Sequence, residues 1–298
     1  MKHLAALHIC IADRMRLVIS RARTRTPLTQ IPLLPRPGLR LLIRDASASR
    51  LRIDTGASTM RRVRALVVLQ QREAAITAQV KADVTRLLDR GDLSPDVIAD
   101  AAERAHAALD EAGHRAVARG AAAPVCAAGC SYCCHVHADA TVPELLAIAR
   151  HLEKAWSEAA RGALRARLSL QVSRVERLSD EERWAAKIPC ALLDGAGQCS
   201  IHAVRPLRCR AFNAHRVEPC REAFAGSDEA EPARIPRLDR AHDAAEAGYD
   251  EALAEAGLSA AGHRLEVGLL VALEDPEAGG RWLAGEGEAF ARARAPMA

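Results

Sequence analysis

Apolar residues recur at helical spacing through most of the chain. Between Arg61 and Arg90, Ile76, Val80, Val84, Leu87 and Leu88 share one face and Gly91 follows as a stop, which predicts a helix. Ser94-Pro95 then supplies a cap and a proline at the first helical position. Val97, Ala101, Ala105, Leu109 and Ala112 stripe the next helix, which ends near Gly120. Thr141-Val-Pro-Glu144 reads as a capping box, opening a helix through Leu145, Ile148, Ala149, Leu152 and Trp156. A further helix is predicted over about 162–178 on Leu164, Leu168, Val172, Val175 and Leu178, and Ser179-Asp-Glu-Glu182 caps a short one that Pro189 ends. Helical pattern returns over about 238–256 and 263–274, and again after Asp275-Pro276. Between these stretches, residues 190–220 show no sustained period. CALLDGAGQCSI (190–201) reads as a small hairpin or loop around Asp194-Gly195.

Aromatic residues are only 3% of the chain while alanine is abundant, which favours closely packed helices over strands. The expected fold is mainly α: a helical bundle interrupted by two cysteine-rich loops that meet at a metal site. Residues 60–120 form a helical hairpin in this reading, 121–225 a cysteine-cluster metal-binding domain, and 226–298 a C-terminal helical segment packing on it. Charge sets the first stretch apart. Residues 1–60 hold eleven Lys/Arg against three acids, leaving 31 basic and 35 acidic side chains in the remainder. That mildly acidic body argues against nucleic-acid binding. Residues 1–59 lack helical period and carry three prolines in IPLLPRPG (31–38), so they read as a disordered extension upstream of Met60 or a misplaced start. They fit a signal peptide poorly: His8 and Asp13-Arg14 interrupt the apolar run, and no small-residue cleavage pattern follows. No apolar run reaches transmembrane length, so a soluble, cytoplasmic protein with no membrane partner is expected.

Nine cysteines occur. Cys10 lies in the extension, and the other eight divide evenly between Cys126, Cys130, Cys133 and Cys134 in one stretch and Cys190, Cys199, Cys209 and Cys220 in another. In a reducing compartment disulfides do not persist. A lone cysteine on a helix face is usually a small apolar filler, but these sit outside the helical pattern. All eight are therefore read as metal ligands. Thiolates are soft anionic donors suited to zinc or to iron–sulfur clusters, whereas calcium and magnesium prefer oxygen. Adjacent Cys133 and Cys134 could face one ion only through a tight turn, so either two neighbouring sites share eight thiolates or one site leaves Cys134 or Cys220 spare. His135 and His137 are secondary candidates, followed by His202 and His215. Arg205 and Arg210 read either as neutralisers of thiolate charge or as solvated loop residues. Tyr132 and Phe212 read as packing residues beside the site, and Asp194 as a turn residue.

CAAGCSYCC (126–134), with Glu144 in a capped helix, is followed by Pro189-Cys190, Gly197-Gln198-Cys199-Ser200-Ile201 and Arg205-Pro206-Leu207-Arg208-Cys209-Arg210-Ala211-Phe212. This combination resembles the YkgJ-type cysteine-cluster family, a zinc- or iron-chelating domain with a CxxCxxCC signature, over about residues 120–225. Here three residues separate Cys126 from Cys130, where the short signature has two. The resemblance implies a bound zinc or iron ion, structural or in metal handling. Flagellin lysine-N-methylases are similar in the same region, which implies as an alternative a 4Fe-4S cluster enzyme using S-adenosylmethionine. A thiol redox sensor is a third reading. The C-x3-C-x2-C spacing also matches radical-SAM enzymes, but the flanks are helical and strand-poor, unlike the alternating strands and helices of that barrel. No nucleophile–base pair or carboxylate dyad stands out, and no protein partner is indicated.

Overall fold

The computed structural model describes residues 57–286 and 289–295. It divides into two compact units, one ending at Gln71 and the other running from Arg72 onward. The described part of the first unit is the opening half of helix α1 (Ala57–Leu88). The expectation for residues 1–59 therefore falls, up to residue 56, outside the described residues.

The second unit is helical. After α1 come α2 (Pro95–Ala118), α3 (Val142–Ala155), α4 (Glu158–Val175) and the short α5 (Asp180–Ala185). Next are α6 (Leu207–Ala211), α7 (Glu218–Ala225), α8 (Pro236–Glu255), α9 (Leu265–Glu274) and α10 (Ala278–Leu283). The expected caps form. Ser94 accepts from Val97 N–H at the start of α2, and Thr141 with Glu144, and Ser179 with Glu182, make full capping boxes on α3 and α5. A mainly α architecture is thus what the chain adopts. Among the described residues the sheet is one antiparallel pair, β1 (Asp139–Ala140) and β2 (His263–Arg264), which ties the entry of α3 to the entry of α9. No described helix is long and apolar enough to cross a membrane.

Two apolar clusters flank α3. On one side Leu145, Ile148 and Leu152 of α3 pack with Leu164, Leu168 and Val172 of α4 and with Leu265, Leu269 and Leu270 of α9. Leu192, Ile201 and Val204 join them, so the segment after Pro189 contributes to this core. Each such fully buried side chain contributes about 1.5–3 kcal/mol. On the other side Val80, Val84 and Leu88 of α1 meet the alanine-rich face of α2 and Tyr249, Ala252 and Leu253 of α8, with Ala147 of α3 and Leu207 of α6. Small residues permit this close packing.

Residues 190–220 depart from the sequence reading. Cys209 lies on α6 and Cys220 on α7, while Cys133 and Cys134 lie on a 3-10 turn, Tyr132–His135. Not all eight cysteines therefore sit in irregular loops. Helices of five and eight residues are too short to display a period, and α7 buries no residue that could mark an apolar face.

Close approach of α8 to α1 depends on Gly248, where an added Cβ would stand 2.4 Å from Thr77 O and 3.0 Å from Val80 Cβ. A Gly248→Ala substitution gains roughly 1 kcal/mol of helix propensity. It also forces two backbones apart, and overpacking costs typically about 1–3 kcal/mol. Net destabilisation is expected, read as a lower denaturation midpoint with an unchanged slope; a more stable variant would contradict the packing.

Candidate metal centre

The two cysteine-bearing runs touch through their backbones. Cys190 N–H donates to Cys134 O at 2.7 Å, and Val125 N–H donates to Ala214 O at 2.9 Å. The eight cysteines carry free thiols, with Cys126 exposed and the others half-buried. Cys133 and Cys134 stand side by side on the 3-10 turn Tyr132–His135. Cys199 sits in a small antiparallel bridge with Leu193. The turn between them is built by Asp194, whose Oδ1 accepts from Ala196 N–H and Gln198 N–H at 2.9 and 2.8 Å. Asp194 is thus the turn residue its sequence context indicated.

Two buried carboxylates hold the backbone next to Cys190 and Cys209. Glu266 of α9, 5% exposed, accepts from Ala191 N–H at 2.8 Å, one residue beyond Cys190. The same carboxylate takes both terminal nitrogens of Arg183, itself 1% exposed, at 2.5 and 3.1 Å. Glu144 of α3 accepts from Leu207 N–H at 2.7 Å, two residues before Cys209, and also contacts His106 Nε2 at 3.2 Å. Its second oxygen accepts from Thr141 N–H at 2.7 Å, the capping-box bond. Burial pushes the Glu144 carboxyl up, but His106 and the backbone donors prevail and hold it below the usual carboxylate range. The motif in the sequence pointed to Glu144; nothing local pointed to Arg183 or Glu266, which lie 83 residues apart.

Burial dominates the ionisation of most of these thiols. Burial raises Cys190 to about 12, with Glu266 adding to the effect. Burial also raises Cys209, helped by Cys190, Cys133 and Cys199. Cys130 and Cys220 are raised by burial and by neighbouring thiols. Cys133 goes the other way, to about 7, because the Cys134 thiol hydrogen-bonds its sulfur and the charges of Arg205 and Arg234 favour the thiolate. Cys134 is correspondingly pushed up as the donor. Arg205 also acts on Cys199, where burial prevails and raises the thiol. Arg210 instead ion-pairs with Asp110 of α2 at 2.6 Å and donates to Arg205 O, bracing the fold. Arg234 was not legible in the sequence, since it comes from outside the motif and lies over the Phe212 ring at 5.0 Å.

The histidines are largely committed elsewhere. His137 accepts from Arg183 at Nδ1 and donates from Nε2 to Leu178 O, at 3.1 Å each, and burial lowers its pKa. Both of its nitrogens are used, so it is not placed as a ligand. His135 Nδ1 lies 3.0 Å from Ser131 O while its ring meets Phe224 at 4.6 Å. His202 pairs with Arg205, and Tyr132 packs on Phe224 at 5.5 Å as expected. Among the described residues no three His, Cys, Asp or Glu side chains already stand in a metal-holding arrangement. The donor set fits a soft cation in kind, since all eight candidates are sulfurs.

Residues 125–232, just over a third of the chain, match the family model CxxCxxCC, described as "Putative zinc- or iron-chelating domain". The resemblance read from the motifs is thereby supported over that segment. No curated protein and no solved structure matches the chain.

Two measurements test this geometry. Arg183→Met strands the Glu266 charge in the core, and breaking a buried pair costs about 3–5 kcal/mol. Replacing both partners with apolar residues should recover much of that loss in urea denaturation. In the metal-free protein the raised thiols make the folded state bind protons more tightly than the unfolded chain. Their stabilisation is complete below their ordinary value near 9.0 and is lost as pH rises towards about 12 for Cys190. Chelator-treated protein should therefore lose stability steadily above pH 9, and a flat profile would refute the upward shift of the Cys190 thiol.

Proposed function

We propose that this protein chelates zinc or iron through thiolates of Cys126, Cys130, Cys133, Cys134, Cys190, Cys199, Cys209 and Cys220. What supports the reading is the match of residues 125–232 to a family model for zinc or iron chelation, together with the backbone bonds that join the two cysteine-bearing runs, Cys190 N–H to Cys134 O and Val125 N–H to Ala214 O. Without a cation, each thiolate formed there opposes the next. A soft dication reverses that relation, since it favours deprotonation of every sulfur it meets. Binding then releases protons and adds its free energy to folding.

The role this supports is structural or metal-handling. Four thiolates complete the tetrahedron of a zinc ion and leave no open position for a substrate. In this reading the metal joins the 3-10 turn to α6 and α7, adding to the contact of Tyr132 and His135 with Phe224 of α7.

Purification without oxygen, followed by elemental analysis and an absorption spectrum, tests the proposal. Zinc gives a colourless protein with stoichiometric metal; an iron–sulfur cluster gives a brown one with broad absorption. Affinity should increase with pH between 6 and 9 because ligation displaces protons. A folded sample that takes up neither metal would end the proposal.

A further inference from the structure

After Asn213 the chain leaves the packed body, and it returns at Ile235. Asn213, 2% exposed, closes the base of this excursion: its Oδ1 accepts from Ile235 N–H at 3.0 Å and its Nδ2 donates to Asp239 Oδ1 at 2.7 Å. Beside it His215 N–H donates to Ala233 O at 2.9 Å. Between these bonds residues 216–232 are all described, and none of them is buried. Their cap and turn hydrogen bonds stay inside the excursion, with Arg221 N–H on Val217 O, Gly226 N–H on Ala223 O and Ser227 N–H on Glu222 O. Gly226, at φ +104°, ends α7 in the left-handed conformation. Surface segments closed at the base and poor in buried apolar contacts are those that open first from a folded chain.

Phe224 of α7 makes the ring contacts that tie this segment to the body. Its ring lies 5.5 Å from Tyr132 and 4.6 Å from His135, the residues that flank Cys133 and Cys134 on the 3-10 turn. It also lies 5.6 Å from Trp184 of α5. The Lys187 ammonium stands over both rings, 4.2 Å from the centre of Trp184 and 4.7 Å from that of Phe224. Lys187 takes φ +50°, a left-handed conformation that favours glycine, at the point where Ile188 N–H closes the end of α5 on Arg183 O. Arg183 is the buried partner of Glu266, so the side of the cluster that receives Phe224 is fixed to the core.

We infer that residues 216–232 form a lid that swings about the Asn213 base, with Phe224 as its catch, and that its opening admits ions to the thiols of the 3-10 turn. The entry role rests on the chelation reading above; the lid itself does not. Closed, α7 lies against the turn that carries Cys133 and Cys134, and it holds Cys220 one helical turn before Phe224. Released, α7 takes Cys220 with it and bares the turn, while the bonds of Asn213 keep the base in register. No residue of the lid has to leave the core. Rings and a cation that part into water also leave no buried charge behind, which suits the catch to repeated opening.

The test follows amide hydrogen exchange by mass spectrometry on the full chain, reduced and chelator-treated, and then the rates of Zn²⁺ loading and release under anaerobic conditions. Amides of α7 should exchange through a shared local opening, well before those of α3, α4 and α9. Phe224→Ala should speed exchange within 216–232 by at least about tenfold and leave α3, α4 and α9 unchanged. It should speed zinc loading and release by a similar factor at unaltered stoichiometry. Lys187→Gly removes the cation and gives φ +50° the residue that suits it, so it should loosen the lid without lowering the melting temperature. Exchange of α7 only together with the core helices, or unaltered exchange in Phe224→Ala, would overturn the lid. A looser lid with unchanged loading and release would overturn its part in entry. A folded wild-type chain that takes up neither zinc nor iron would overturn the chelation reading and the entry role, with the exchange result standing by itself.

Discussion

Burial of the Glu144 and Glu266 carboxylates is the constraint on which the rest of the structure depends. Each is drawn from the packed face of a helix and each spends an oxygen on a backbone N–H close to a cysteine. An unpaired buried carboxylate is costly, so these side chains stay in place only while Arg183, His106, Thr141 and the backbone donors surround them. That requirement fixes where the chain passes after Pro189 and before Cys209. Segments with little apolar surface of their own acquire a defined path from polar contacts that the core cannot leave unmade.

A second consequence concerns charge. The carboxylates of Glu144 and Glu266 add to burial in opposing the ionisation of Cys209 and Cys190 respectively. Arg205 and Arg234 offset this only around Cys133 and Cys199. The same reasoning explains why the histidines beside the cluster matter less: His137 is neutralised by burial and occupied by Arg183 and Leu178.

Helices were legible because their signals are local. The Thr141–Glu144 and Ser179–Glu182 boxes, Ser94-Pro95 and the stripes of Leu, Val and Ala each act within one or two turns, and the elements formed where those signals stand. The short helices α6 and α7 and the two-residue strands β1 and β2 were not legible. An eight-residue helix without a buried face presents no period, and strands of two residues are set by what lies beside them.

By itself the sequence determined the helical class, the caps, the Asp194 turn and the grouping of eight cysteines, because residue type and spacing carry each of these. Only tertiary structure decided which distant groups meet: Arg183 with Glu266 across 83 residues, Arg234 over the Phe212 ring, and Cys190 on the carbonyl of Cys134. It also decided that His137 is occupied and that Arg210 braces α2 rather than the thiols. The physical reason is range. Capping and periodicity act within a few residues along the chain, whereas desolvation and charge pairing depend on neighbours through space, and those exist only once the helices have packed.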